Sequence, residues 1–379
     1  MLACSDFFNA LTDAGFRSYA GVPDSLLKNF CAYVTDHVPE TSHCITANEG
    51  AAVALEAGRY LATGDIGVVY LQNSGLGNAV NPITSLLDPE VYSIPVLFLI
   101  GWRGEPGVKD EPQHVKQGKN MIAILDALDV PYRILPVDIE SARMVIQEAK
   151  ISIKKNLRSY ALIVKKDTFD SYKLKNVPQP ASDLKREEAI ELVLKNIEEQ
   201  AIVVSTTGMI SREVFEYRTR TKAEHNRDFL TVGSMGHASQ IALGIALSCK
   251  SRPVYCLDGD GALLMHMGSA AILASMAPKN MTHIVLNNGA HDSVGGQPTI
   301  ALQINLIQFA QSLGYTVVSR ASIPEEVEVW LKSNSNVDGP KFLEIRVAPG
   351  ARIDLGRPTV MPKDNKVAFM NYCKQSTKL

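Results

Sequence analysis

Short apolar runs alternate with longer amphipathic stretches from one end of the chain to the other. The runs in the first half that have the length and composition of strands are residues 17–20, 67–71, 96–100, 133–135 and 160–164. Helix-length stretches lie between them, and the first is predicted to be capped by Ser5 and closed by Gly15. Because strands that alternate with helices form βαβ units, the pattern predicts an α/β fold with a parallel sheet covered by helices on both faces.

A polar segment, residues 173–183 (KLKNVPQPASD), interrupts this alternation and carries Pro178 and Pro180. It is predicted to be an exposed linker. After a predicted helix over 184–197, six further strand candidates follow at residues 201–205, 229–232, 254–257, 283–286, 316–318 and 342–345. The chain is therefore predicted to contain two α/β domains, residues 1–172 and 184–350, and a C-terminal tail, residues 351–379. No sequence repeat relates the two halves.

Composition narrows the class of protein. The chain has 379 residues, with 38 Lys and Arg against 40 Asp and Glu, so its charge offers no attraction for nucleic acid or an anionic membrane. No apolar run reaches the roughly 18–20 residues that a membrane-spanning helix needs. The six cysteines are scattered without a Cys-x-x-Cys pair, which indicates neither a disulfide framework nor a zinc site. These features favour a soluble protein of the reducing cytoplasm.

Polar side chains follow two of the predicted strands in the second half. Strand 254–257 runs into Asp258-Gly259-Asp260-Gly261-Ala262, and strand 283–286 runs into Asn287-Asn288-Gly289-Ala290. The carboxyl ends of parallel strands are where open α/β sheets bind ligands. A Gly-Asp-Gly turn lets backbone N–H groups approach a phosphate while its carboxylate faces a cation, and a later asparagine can add an amide oxygen. Since Mg²⁺ prefers oxygen ligands and often keeps phosphate oxygens among them, the pattern predicts a Mg²⁺–diphosphate site.

This combination of turn and asparagine pair resembles the signature of the thiamine-diphosphate-dependent decarboxylase superfamily. The resemblance implies that the metal ligands are Asp260, Asn288 and the backbone carbonyl of Ala290. The spacing to Asn288 is one residue longer than in many relatives, so Asn287 remains the alternative ligand. It also implies two cofactors, thiamine diphosphate and Mg²⁺.

The same resemblance assigns further residues to the cofactor. Gly233-Ser234-Met235-Gly236 matches a turn whose large apolar side chain, here Met235, props the cofactor into a bent shape. The alternative is that Met235 only packs in the apolar core. The residues expected around the diphosphate are Thr207, Gly208, Ser234, Gly259, Gly261 and Ala262.

The first domain is expected to supply a glutamate. Thiamine chemistry begins with deprotonation of a ring carbon by the cofactor's own aminopyrimidine, and a buried carboxylic acid bound to that ring promotes the step. The segment Ile45-Thr46-Ala47-Asn48-Glu49 follows a short strand and opens a helix of small residues that reaches Gly64. It resembles the catalytic-glutamate segment of the superfamily, so Glu49 is predicted to be this acid. Taken alone, an acidic residue at a helix start has the simpler explanation of a favourable helix-dipole interaction.

The chain resembles the small two-domain branch of the superfamily, because its linker leaves no room for the middle domain of larger members. That branch includes decarboxylases of phosphonopyruvate and of sulfopyruvate. The resemblance to the phosphonopyruvate-specific family covers nearly the whole chain, including the segments at residues 21–25, 72–78, 101–107, 110–114, 291–297 and 354–358. It implies non-oxidative decarboxylation of 3-phosphonopyruvate to phosphonoacetaldehyde in phosphonate biosynthesis. The alternatives are sulfopyruvate decarboxylation, carboligation of the acetolactate-synthase type, and a cofactor-binding protein without activity.

Cationic and polar residues on loops are the candidates for holding a small anionic 2-oxo acid. Arg103 follows an apolar strand, and its guanidinium fork suits phosphonate or carboxylate oxygens, unless it pairs with Glu105 or Asp110. The other candidates are Asp24 and Ser25 for the pocket wall, His114 and His291 for proton transfer or anion contact, and Arg352 and Arg357 in a tail that could close as a lid. The superfamily binds its cofactor between subunits, which implies at least a homodimer.

Overall fold

The computed structural model describes residues 1–177 and 179–375. They form two compact units, one made of Met1–Val177 with Val294–Gln297 and the other of the remaining described residues. In this described part of the chain no third unit lies between the two. The predicted linker, residues 173–183, contains the boundary, but its Pro178 lies outside the described residues, as do residues 376–379 of the predicted tail.

The first unit is a six-stranded parallel sheet with six helices. Its elements in chain order are α1 (Cys4–Ala14), β1 (Tyr19–Gly21), α2 (Lys28–His37), β2 (His43–Ile45), α3 (Glu49–Thr63), β3 (Val68–Gln72), α4 (Leu76–Pro82), β4 (Leu97–Gly101), α5 (Pro112–Ala127), β5 (Tyr132–Ile134), α6 (Ile139–Asn156) and β6 (Tyr160–Val164). The strand order is β2-β1-β3-β4-β6-β5. All its strand pairs are parallel.

The second unit is built in the same way. Its elements are α7 (Arg186–Asn196), β7 (Ile202–Ser205), α8 (Met209–Arg220), β8 (Asp228–Leu230), α9 (Ala238–Ser248), β9 (Val254–Gly259), α10 (Asp260–Met265), α11 (Gly268–Met276), β10 (Met281–Asn287), α12 (Leu306–Leu313), β11 (Val317–Ala321), α13 (Pro324–Asn334), β12 (Lys341–Arg346) and α14 (Pro362–Lys374). The strand order is β11-β12-β10-β9-β7-β8. If the strands of this unit are numbered from one and the order is read from its other edge, it is the same order as in the first sheet.

Burial explains why these runs form strands. Every residue of β4, β6 and β10 is buried, as expected for strands that helices cover on both faces. A fully buried Leu, Ile or Phe contributes about 1.5–3 kcal/mol to folding, so the apolar runs of the sequence are the principal source of stability. The predicted fold class, two α/β units with parallel sheets, is therefore confirmed.

The starts of two helices differ from prediction. Ser5 lies inside α1 rather than at its start, because the residue at the N-cap is Ala3, which makes no side-chain cap. The predicted end is confirmed, since Gly15 has φ of 96° and its N–H bonds to Leu11 and Thr12. The helix predicted over 184–197 begins at Arg186, and the backbone N–H of Lys185 before it donates to the Glu188 carboxylate at 3.2 Å.

The tail packs onto its own unit. In α14, the buried ring of Phe369 lies 5.5 Å from the ring of Phe229 in β8, measured between ring centres, and Asn365 donates to the carbonyl of Asp228 at 3.0 Å. Before α14, Arg352 forms ion pairs with Glu187, Glu216 and Asp354, and Arg357 is exposed. The expected closure of this segment as a lid stays a prediction. No helix of the described residues has the length and apolar character to cross a membrane.

Candidate functional site

In both units, polar residues follow the two strands between which the strand order reverses. In the first unit the reversal lies between β1 and β3, and the segments leaving these strands carry Asp24 and Asn73. In the second unit it lies between β7 and β9, whose carboxyl ends lead into Thr206 and Asp260. Such a reversal leaves a crevice at the carboxyl edge of the sheet, which is the common ligand site of open α/β folds.

Glu49 is the first residue of α3, and the fold removes its carboxylate from water. The helix begins there because Asn48 caps it, accepting the N–H of Ala51 at 2.9 Å. Glu49 is 5% exposed, and its Oε2 accepts from Asn78 Nδ2 at 2.7 Å. A Cβ added to Gly75 would overlap the Glu49 carboxylate, so the missing side chain at position 75 provides its space.

Burial raises the pKa of Glu49, and the hydrogen bond from Asn78 opposes that shift only in part. The cause is loss of water around the carboxylate, which disfavours its charged form. The first unit therefore presents a carboxyl group that holds a proton more readily than an ordinary glutamate does.

Arg103 is fixed at the carboxyl end of β4 rather than free in a loop. Asn73 binds its backbone on both sides, donating to the Arg103 carbonyl at 2.8 Å and accepting its N–H at 3.1 Å. Its guanidinium makes a bidentate ion pair with Asp110, with Nε at 2.8 Å from Oδ2, and Nη1 donates to Ser25 Oγ at 2.6 Å. The alternative left open from the sequence, a pair with Asp110, is therefore present.

The same carboxylate also holds His114. The Nδ1 of this buried ring lies 2.9 Å from Asp110 Oδ1. Burial lowers the pKa of His114, and the hydrogen bond with Asp110 opposes this shift. Asp24, fully buried nearby, has its pKa raised to about 6 by burial, with Arg103 acting in the opposite direction. The structure thus brings Asp24, Ser25, Arg103 and His114 together.

In the second unit the predicted diphosphate segments are joined by a hydrogen bond. The hydroxyl of Thr207, in the loop after β7, accepts the N–H of Gly233 at 3.0 Å. The turn from Gly233 to Gly236 has positive φ at three residues, 73° at Gly233, 47° at Ser234 and 85° at Gly236. Such backbone is unusual for Ser234 and indicates a turn held by its surroundings.

Three predicted residues adjoin one another around the Gly-Asp-Gly turn. A Cβ built on Gly261 would lie 3.0 Å from the ring of His291 and 3.5 Å from the terminal methyl of Met235. On the far side, a Cβ on Gly259 would meet Thr206 at 3.9 Å, and one on Gly236 would meet the Ala262 carbonyl at 3.2 Å. Burial lowers the pKa of His291 to about 4, so this ring is neutral at physiological pH.

Asp260 has the surroundings expected of a cation ligand. It is 4% exposed, and Thr299 donates its hydroxyl to Oδ2. Burial raises the pKa of Asp260 to about 6, and the nearby charge of Asp292 adds to the shift. A buried carboxylate with so little compensation is stabilised by a bound cation.

The two asparagines have different partners. Asn287 Nδ2 donates to the buried Glu344 of β12 at 2.8 Å, and its Oδ1 accepts the N–H of Gly289. Asn288 Nδ2 donates to Asp292 at 2.7 Å, and its Oδ1 accepts the N–H of Ala290 at 3.0 Å. Each asparagine therefore has a carboxylate partner at its nitrogen and a backbone N–H at its oxygen, and the choice of Asn288 as ligand stays a prediction.

Several residues of the site escaped the sequence reasoning. Asp292 lies inside a recognised motif, and its acidic character next to Asn288 was the available signal. Asn78 and Thr299 gave no such signal, because their partners Glu49 and Asp260 are distant along the chain.

Family models match both units. Residues 3–125 match the N-terminal TPP binding domain of thiamine pyrophosphate enzymes, and residues 206–345 match the C-terminal TPP binding domain. The two matches fall on the two sheets and together cover more than half of the chain.

Curated relatives match along nearly the full length. The chain is 34% identical to a phosphonopyruvate decarboxylase of Streptomyces viridochromogenes, over 96% of this chain and 93% of that protein. It is 32% identical to a phosphonopyruvate decarboxylase of Streptomyces hygroscopicus, over 99% and 95%. It is 27% identical to a sulfopyruvate decarboxylase of Methanosarcina acetivorans, over 90% of each chain.

Proposed function

The chain belongs to the thiamine pyrophosphate enzyme family and to its decarboxylases, and on this premise we propose that its substrate is 3-phosphonopyruvate. The products would be phosphonoacetaldehyde and CO₂. The observation that carries this choice is the near-complete likeness to two phosphonopyruvate decarboxylases. The sulfopyruvate decarboxylase is similar over slightly less of the chain and less identical, which makes sulfopyruvate the second candidate.

Glu49 would activate the cofactor. When bound, thiamine diphosphate supplies an electron sink for the electrons left behind as CO₂ departs. Glu49 would hold a proton at its carboxyl group for a ring nitrogen of the cofactor, and its raised pKa suits this task. Asn78 and Gly75 keep the carboxyl group in place.

Asp260, Asn288 and the carbonyl of Ala290 would hold Mg²⁺. The donors fit, because Mg²⁺ takes carboxylate, amide and carbonyl oxygens together with phosphate oxygens. A divalent cation would also relieve the burial of the Asp260 charge. Met235 and Gly261 would flank the cofactor. They lie close to each other, because an added Cβ at Gly261 would be 3.5 Å from the terminal methyl of Met235.

The cluster around Arg103 would bind the anionic substrate. The ion pair with Asp110 orients the guanidinium, and Asp24 could take up a proton near neutral pH when a second anion enters. His114 and His291, both with a lowered pKa, would exchange protons as neutral rings. Arg357 is kept as a further candidate because it lies exposed in the tail.

The test compares three acids. Purified full-length protein with thiamine diphosphate and Mg²⁺ is supplied with phosphonopyruvate, sulfopyruvate or pyruvate, and CO₂ and aldehyde are measured. We expect phosphonopyruvate to give the highest kcat/KM and Asp260→Asn to abolish turnover of all three. A preference for sulfopyruvate would transfer the proposal to the second candidate. Condensation with an added aldehyde, in place of free aldehyde release, would indicate a carboligase.

We further propose a homo-oligomer of at least two chains, with active sites between subunits, that works in the cytoplasm in phosphonate biosynthesis. Support comes from the division of the predicted residues between the two units. Glu49 and Arg103 lie in the first, whereas Asp260 and Met235 lie in the second.

A further inference from the structure

One carboxylate oxygen in the second unit collects three donors. Asp292 Oδ2 accepts from Arg186 Nη1 at 2.7 Å, from Asn288 Nδ2 at 2.7 Å and from the backbone N–H of Gly350 at 2.9 Å. The donors come from the start of α7, the loop after β10 and the segment after β12. Asp292 therefore joins three separate parts of the unit next to a candidate metal ligand.

Arg186 gives this junction a fixed base. Its guanidinium binds Glu213 of α8 in a bidentate pair, with both N–O distances at 2.9 Å. The side chains of Arg186 and Glu213 are 5% and 2% exposed. A planar guanidinium held by two bonds on one side has a set direction for the bond on its other side, so the position of Asp292 follows from that of Arg186.

The contact with Asp292 decides which way the Asn288 amide is turned. An amide carries an oxygen and a nitrogen in nearly the same shape, and only the oxygen can ligate a cation. Because Nδ2 is bound to an acceptor-only carboxylate, Oδ1 must face the other way, where it accepts the N–H of Ala290. A flipped Asn288 would bring its oxygen against the Asp292 carboxylate and would lose both bonds.

We propose that Asp292 is a positioning residue that keeps the Asn288 oxygen turned to the divalent cation, with Arg186 and Glu213 as its anchor. The inference rests on the proposed function only in taking Asp260 and Asn288 as the cation site. Outer partners of metal ligands commonly change metal affinity by about 10- to 100-fold. The carboxylate of Asp292 is essential to this role, because it only accepts hydrogen bonds and the amide oxygen of Asn288 cannot donate one.

The test measures Mn²⁺ binding to the full-length protein by electron paramagnetic resonance, with thiamine diphosphate present and no substrate. We expect Asp292→Asn to weaken Mn²⁺ binding by about 10- to 100-fold. We expect no weakening when the same change is made in an Asn288→Asp background, because an aspartate offers an oxygen in either orientation. Equal losses in the two backgrounds would mean that Asp292 acts only through its charge, and would overturn the proposal.

A second variant tests the anchor. Arg186→Lys keeps the positive charge but cannot bridge Glu213 and Asp292 in one plane, so we expect weaker Mn²⁺ binding in the same direction. The matched control is the double variant Arg218→Gln with Asp228→Asn, which removes another buried ion pair of this unit. It is expected to lower the unfolding temperature and to leave Mn²⁺ affinity unchanged.

Two outcomes separate the failures. If the wild-type protein binds no Mn²⁺ with thiamine diphosphate, the cation site of the proposed function fails and this inference fails with it. If the wild type binds Mn²⁺ and Asp292→Asn binds it as tightly, or if the Arg218 control weakens it equally, this inference alone is overturned.

Discussion

Three carboxyl groups of the candidate site are removed from water without a full set of hydrogen-bond donors. Glu49, Asp24 and Asp260 each have a raised pKa, and in each case burial is the main cause. A buried charge that lacks a partner lowers the stability of the folded chain. Such residues are therefore candidates for function.

Glu49→Gln should separate catalysis from stability. We expect kcat to fall by about 10²- to 10⁴-fold, since an amide cannot share the proton that the cofactor ring requires. The raised pKa means that, as pH rises above the ordinary value of 4.5, the unfolded chain ionises at this position before the folded chain does. Rising pH thus favours unfolding of the wild type, and the variant escapes this loss. Its stability relative to wild type should increase between pH 4.5 and 8 in urea unfolding.

Glu56 provides the matched control on the same helix. It is also buried with a raised pKa, but it pairs with Arg59 at 2.7 Å and accepts from Ser18 at 2.8 Å. Glu56→Gln should lower stability and leave kcat unchanged. Loss of activity in Glu56→Gln comparable to that in Glu49→Gln would contradict a specific role for Glu49.

At the scale of elements, the start of α4 supports the start of α3. Gly75→Ala should reduce kcat by at least 10-fold, because the new methyl group would overlap the Glu49 carboxylate and displace it. The backbone of Gly75 has φ of −80°, which alanine adopts without strain, so the fold should persist. Activity and circular dichroism of the purified variant check both statements.

Gly77 is the control for this change. It lies two residues after Gly75, inside α4, and an added Cβ there would meet nothing within 4 Å. Gly77→Ala should leave kcat unchanged. If both alanine variants were equally active, the close fit between Gly75 and Glu49 would have no catalytic importance.

The sequence predicted most elements because their signal is local. The strands at 160–164 and 254–257 are recognisable from continuous apolar runs, and β6 and β9 lie there. The start of α1 was misplaced because Ala3 occupies a cap position that side-chain chemistry does not mark. The shared strand order of the two sheets was not predicted, since pairing between strands depends on contacts that lie far apart in sequence.

The candidate site was predictable only where motifs mark it. The Gly-Asp-Gly turn and the asparagine pair led to Asp260 and Asn288, which the fold places at the carboxyl edge of one sheet. The ion pair of Arg103 with Asp110 was weighed from the sequence, but the choice among its acidic neighbours needed the loop geometry. Residues such as Arg186 lie more than one hundred positions from the loop they support, so no local pattern indicates them.

At the scale of the whole molecule, two units share one strand order, and the proposed function divides its residues between them. Repetition of the order β2-β1-β3-β4-β6-β5 places a crevice at the same position in each sheet. In the proposed function the first unit would supply the acid Glu49 and the cation Arg103, and the second would supply Asp260 and Asn288. Neither set alone holds both the proposed acid and the proposed metal ligands, so the proposed site would need one unit of each kind.

Mixing two inactive variants tests whether a complete site draws its units from different chains. Glu49→Gln has an intact second unit, and Asp260→Asn has an intact first unit. In a dimer with sites between subunits, a mixed dimer contains one site with both changes and one site with neither. Equal mixing with subunit exchange should therefore restore about a quarter of wild-type activity, whereas each variant alone stays inactive.

Mixing Glu49→Gln with a double variant that carries both changes should restore nothing, because every site then lacks at least one group. Absence of recovery in the first mixture, with mixed dimers demonstrated by mass spectrometry, would mean that each site is completed within a single chain.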